Sequence, residues 1–151
     1  MAQYSREQLI RLASLSTDVL MATLLIDQTD RVGLLREFRN GTKFIEETKN
    51  RYPQNALIQN MRASVEESMQ DIQSYTLSQR RTVGNAYRTR INEAVQFLDN
   101  NAETQEFKVA LFNLATKVAE AAGHGVFGTG EKVSRDEADF LHALQQALDV
   151  A

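Results

Sequence analysis

The sequence predicts an all-α fold: a bundle of five to six helices with no sheet, formed as one domain over residues 1–151. Three observations lead there. The chain holds a single proline in 151 residues, and it is rich in Ala, Leu, Glu, Gln and Arg, all good helix formers. Apolar residues recur at spacings of three and four along most of its length. No stretch alternates apolar and polar residues in the way a half-buried strand does. A chain this long buries roughly 70% of its unfolded surface, so neither disulfide nor metal is required for folding.

The elements follow in order. Ser5 is suited to cap a first helix, with Glu7 and Gln8 in its opening turn. Leu9, Leu12, Ala13, Leu15, Val19, Leu20, Leu24 and Leu25 form its apolar set. Leu20–Ile26 is apolar almost all round, the mark of a central helix. The polar break Asp27-Gln28-Thr29-Asp30 ends it. A second helix over Val32–Asn50 carries Leu34, Leu35, Phe38, Phe44 and Ile45. Glycine weakens a helix by about 1 kcal/mol, so a kink or split is expected near Asn40-Gly41, and Asn40-Gly41-Thr42 reads as a turn. Tyr52-Pro53 is a firm boundary, because proline cannot continue a helix and restricts the residue before it.

From Gln54 to Asn100 one glycine and no proline occur. Leu57, Ile58, Met61, Val65, Met69, Ile72 and Tyr75 form one stripe, and Val83, Tyr87, Ile91, Val95 and Leu98 another. Two antiparallel helices divided near Leu77–Thr82 are expected, the alternative being one helix of some forty residues. Asp99-Asn100-Asn101 closes this stretch. A helix over Glu103–Ala122 then buries Phe107, Ala110, Leu111, Leu114, Ala115, Val118 and Ala122. Ser134-Arg135-Asp136-Glu137 has the form of a capping box, opening a last helix with Phe140, Leu141, Leu144, Ala147 and Leu148 inward.

Composition narrows the function. A net charge of −3 with pI near 5.4 argues against nucleic acid, which calls for a basic field. With no cysteine, thiolate chemistry and Cys-based zinc sites are excluded. The polar start MAQYSREQ has no signal-peptide character, and no run reaches the ~20 apolar residues of a membrane span. The expectation is a cytoplasmic protein.

The stretch between the last two helices holds four of the seven glycines: Gly123, Gly125, Gly128 and Gly130. Gly123-His124-Gly125-Val126-Phe127-Gly128 matches G-x-G-x-x-G by letters, yet the dinucleotide fingerprint needs a strand before it, and here an alanine-rich helix precedes it. Glu131 stands where a phosphate-binding loop requires lysine. The glycines suit a helix end and tight passage between helices, with Val126 and Phe127 as an apolar plug. Exposed amides would instead form an anion nest beside the last helix. Asp139 and His142 lie one turn apart, but a di-iron bundle needs a second such pair, so His142 reads as a polar-face residue. Glu131 and Asp136 are oxygen donors suited to a hard cation. Arg80, Arg81, Arg88 and Arg90 form a basic cluster that reads as a solvated helix face. No serine or threonine is paired recognisably with a base, so no catalytic residue and no cofactor is assigned.

The segment Phe107–Leu148, FKVALFNLATKVAEAAGHGVFGTGEKVSRDEADFLHALQQAL, resembles the helix–loop–helix unit of the TerB-like tellurite-resistance family: an apolar helix with small residues, an acidic loop, and a serine- or aspartate-led helix. Val19–Phe38, with Asp27 and Asp30 in its break, is a fainter likeness. The resemblance implies an all-helical bundle that binds a divalent metal through loop carboxylates and takes part in bacterial stress-related, membrane-linked complexes. The matching ligand positions here are Asp27, Asp30, Glu131 and Asp136. The family's Asp-Gly at the loop entrance is Ala122-Gly123 in this chain. A further likeness is to uncharacterised bacterial helical proteins with a similar glycine–phenylalanine–glycine loop. Three readings result. The first is a non-enzymatic TerB-like interaction module whose loop (Gly123, His124, Gly125, Gly128, Gly130) contacts a protein partner or a second copy. The second is a divalent-cation binder at Asp27, Asp30, Glu131 and Asp136. The third is a small-anion binder or hydrolase using the 123–130 loop.

Overall fold

The computed structural model describes residues 4–26, 31–62, 74–120 and 134–150. Among them the chain is a bundle of six α-helices without a strand: α1 (Arg6–Leu24), α2 (Arg31–Arg51), α3 (Ala56–Gln59), α4 (Leu77–Val95), α5 (Ala102–Glu120) and α6 (Arg135–Leu148). Helix starts are written locally. Ser5 and Gln8 cap α1 reciprocally, as do Thr76 and Gln79 for α4 and Ser134 and Glu137 for α6. Each such pair satisfies two amides that the first helical turn leaves without a partner. At the other end of α6, Asp149 takes the left-handed conformation (φ 55°), and the Val150 amide donates back to the Gln145 carbonyl. That is the usual way of closing a helix, at a residue type that tolerates the geometry.

Helix α1 is the centre, as its all-round apolar second half predicts. It packs against α4, α5 and α2, while α5 also carries α3 and α6. Leu12, Leu15, Val19, Leu20, Met21 and Leu24 from α1 meet Leu34, Ile45, Ile58, Ile91, Phe107, Leu111, Leu114, Phe140 and Leu144 in one continuous core. Helices α1 and α4 run antiparallel: Arg11 meets Glu93, Asp18 meets Arg90, and Leu25 meets Gly84. Among the described residues no helix is long and apolar enough to cross a membrane.

Four expectations require correction. On α6, Ala147 was expected inward but is exposed, while Phe140, Leu144 and Leu148 are buried. Helix α2 runs unbroken through Asn40-Gly41-Thr42. Gly41 makes a close crossing there, since a Cβ on it would collide with Leu20 Cδ1 and lie 3.1 Å from Val118 Cγ2. The stripe beginning at Leu57 does not continue as one helix, because α3 ends at Gln59. The Arg62 amide turns instead to α1, donating to the Ala13 carbonyl and to Ser16 Oγ. A single helix across 54–100 is excluded by Tyr75 and Thr76, which are not helical, and α4 opens at the start of the expected dividing region.

Candidate functional site

Most of the positions singled out in the sequence lie outside the described residues: Asp27, Asp30, Gly123, His124, Gly125, Val126, Phe127, Gly128, Gly130 and Glu131. Asp136 is described. It is exposed in the first turn of α6, where the helix dipole favours an acid. Its neighbour Glu137 is buried at 2% exposure and accepts from the Ser134 amide at 3.0 Å. Asp139 and His142 are both exposed on α6. Among the described residues no three His, Asp or Glu side chains converge as a metal site. The basic cluster is only partly a solvated face. Arg88 lies over the Phe140 ring, 4.9 Å from its centroid, and Arg90 reaches Asp18.

A concave polar site is formed where α2 ends. Arg51, Tyr52, Pro53, Gln54 and Asn55, with Glu103 and Glu106 of α5, line an open cleft of about 290 Å³. Its geometry is local at first. Pro53 stops α2, and Asn55 caps α3, its Oδ1 accepting from the Ile58 amide at 3.1 Å. The Gln59 side chain folds back to the carbonyls of Lys49 (2.7 Å) and Tyr52 (2.9 Å), satisfying acceptors that the end of α2 leaves free. Tertiary contacts then close the corner. Asn55 Nδ2 donates to the Glu103 carbonyl at 2.9 Å and to Glu106 Oε1 at 3.0 Å, and the Ala56 amide donates to Glu103 Oε2 at 3.3 Å. Buried Asn55 therefore uses its oxygen and both amide protons. One oxygen of each glutamate is held. Among the described residues, neither carboxylate forms an ion pair with Arg51 or any other base.

The seam between α1 and α4 holds the second polar feature. Asp18 sits there with its side chain 5% exposed, 3.6 Å from Arg90 Nε. That separation is an ion pair and not a hydrogen bond, and Asp18 accepts no hydrogen bond among the described residues. Burial pushes its carboxyl up from 3.8 to about 6, against the lowering pull of Arg90 and Arg11. Two turns earlier on α1, Arg11 pairs with Glu93 at 3.2 Å and lies over the Phe97 ring, 5.4 Å from its centroid.

Neither feature was found by reading the sequence. For Asp18 the available signal was a lone acid in the stretch 12–25, which is otherwise apolar or hydroxyl-bearing, since an isolated buried charge is rare. For Asn55 the signal was an N-cap residue directly after a proline turn, but its bonds to Glu103 and Glu106 span about fifty positions. Compared with protein-family models, curated proteins and solved structures, the chain matches none.

Proposed function

We propose that this chain is a non-enzymatic helical interaction module that receives a basic side chain of a partner protein in the cleft between the α2–α3 turn and α5. The observation that carries the reading is the pair of glutamates one turn apart in an open concavity, held by Asn55 and Ala56 and, among the described residues, in no ion pair, although Arg51 lines the same cleft. Like charges at this spacing on a helix repel one another, so a cation between them relieves the site. Charge-assisted bonds to the two remaining carboxylate oxygens would hold a guanidinium or ammonium. Tyr52 and Pro53 offer an apolar wall for its methylene stem. Bracing by Asn55 and Gln59 keeps the walls in place before binding, which lowers the cost of ordering them. The resemblance of Phe107–Leu148 to the TerB-like unit is consistent with a binding role in a larger, stress-related assembly.

The test is an amide-resolved NMR titration of the full chain with a short lysine–arginine peptide and, separately, a glutamate peptide of equal length. The basic peptide should shift resonances at 51–56 and 103–106, and the acidic one should not. Substituting both glutamates, Glu103→Gln and Glu106→Gln, should weaken the response about a hundredfold, the scale of two lost charge-assisted bonds at roughly tenfold each. Shifts confined to other surfaces, or none with either peptide, would overturn the reading.

A further inference from the structure

Asp18 lies at the α1–α4 seam, the most extensive helix–helix contact among the described residues, between Arg11 of α1 and Arg90 of α4. Its side chain is almost entirely covered, whereas that of Arg90 is 56% exposed. A carboxylate so placed has lost most of its hydration, and it receives no hydrogen bond in exchange among the described residues. The ion pair is asymmetric: one partner has been taken out of water and the other has not. Desolvating the buried member of such a pair can cost more than the attraction to a water-screened partner returns, above all where no hydrogen bond replaces the lost hydration.

We propose that the α1–α4 seam is a proton-operated latch, which tightens when the Asp18 carboxylate takes up one proton from solvent and loosens when that proton leaves. In the protonated state Asp18 is a neutral acid with one donor O–H, and Arg90, which already lies over the Tyr87 ring at 5.9 Å from its centroid, is released from the ion pair. In the deprotonated state a buried anion strains towards Arg90. Among the described residues, the charges acting on Asp18 are Arg90 of α4 and Arg11 of α1, and Arg11 is itself paired with Glu93 of α4. The other helices against α1 present buried Lys108, which donates to Asn100, and buried Glu37, and neither adds to the field at Asp18. The raised proton affinity of Asp18, with a midpoint of about 6, sets the working range just below neutrality. The sign is unusual for an acid. Because the folded protein holds this proton more tightly than the unfolded chain, acidification from neutrality strengthens the seam, where a hydrogen-bonded carboxylate would weaken.

Equilibrium urea unfolding of the full chain at pH 7.5 and pH 5.0 tests the latch, with Asp18→Asn as the proton-insensitive reference. On acidification the folding equilibrium of the wild type should gain about tenfold relative to Asp18→Asn, from the two midpoints of 6 and 3.8. Parallel behaviour of the two proteins would overturn the proposal. If Asp18→Asn does not fold, carboxyl-carbon NMR of the wild type decides directly: an Asp18 midpoint near 6 supports the latch and one near 4 removes it. Arg90→Gln should move that midpoint further up, because the guanidinium holds it down, and an unmoved midpoint would show that Arg90 is not the holder.

Discussion

The α2–α3 corner and the α1–α4 seam each bury one polar side chain to the same depth, Asn55 and Asp18 both being 4% exposed, and they treat it in opposite ways. Asn55 is neutral and every hydrogen-bonding group it has is used, so it fixes the turn and the two glutamates of the cleft. Asp18 is an acid that receives no hydrogen bond among the described residues and faces an arginine that remains in water. Burial alone therefore does not say whether a polar residue stabilises a fold. The number of partners and the formal charge decide. Glu137 stands between the two: it is as deeply buried as Asp18 and carries the same chemistry, yet it accepts from the Ser134 amide. It belongs to a cap, where a carboxylate is favoured both by the bond and by the helix dipole.

The largest effect should come from removing the satisfied group. Asn55→Asp keeps the cap acceptor, loses both amide donors and places an anion against Glu106, and a loss of about 3 kcal/mol is expected. Urea unfolding would measure it, and a loss below that of an ordinary surface change would place the corner's rigidity elsewhere. The seam should answer with the opposite sign. Asp18→Asn at pH 7.5 removes a charge whose folded midpoint is raised from 3.8 to about 6. Since the folded value exceeds the unfolded one, the destabilising charge is fully expressed above pH 6 and is relieved as pH falls towards 4. The substitution should thus stabilise by about 2 kcal/mol at pH 7.5, seen as a higher thermal midpoint, with no gain at pH 4. A melting curve lowered by Asp18→Asn at neutral pH would mean that the Arg90 pair outweighs burial.

A smaller effect belongs to the cap that satisfies Glu137. Ser134→Ala should cost about 1 kcal/mol, with hydrogen exchange accelerated in the first turn of α6 and unchanged in α1. Smallest is the exposed Arg11–Glu93 pair, whose two side chains are 41% and 58% exposed. Glu93→Gln should change stability by less than about 0.5 kcal/mol, and 0.5 M salt should erase the difference. A loss several times larger would mean that the pair acts through the Arg11–Phe97 stacking as well.

Much of the architecture could be read from spacing. The helix starts at Ser5 and Ser134, the stop at Pro53 and most of the inward stripes of α1, α5 and α6 rest on neighbours within four residues, although Leu9 of the α1 set and Ala147 of the α6 set are exposed. The start of α4 was equally local. Thr76-Leu77-Ser78-Gln79 has the capping-box form, and it places the start of α4 at the first residue of the dividing region that the apolar stripes suggest. Gly41 shows where local reasoning stops. Its helix-weakening propensity suggested a break, yet Leu20 and Val118 pack where its side chain would be, and that crossing holds α2 straight. The candidate cleft is beyond local reasoning for the same reason: Arg51–Asn55 and Glu103–Glu106 meet only after α2 and α5 have packed.

By itself, then, the sequence determined that this chain is all-helical, where most helices begin and which faces turn inward, because hydrogen bonds within a turn and the period of apolar side chains are properties of adjacent residues. The tertiary structure decided which polar groups find partners. It gave Asn55 two acceptors from α5, and it left Asp18 facing Arg90 across a seam with its hydration removed and no donor to replace it. Desolvation and long-range pairing depend on what lies across the interface, and no spacing along the chain records that.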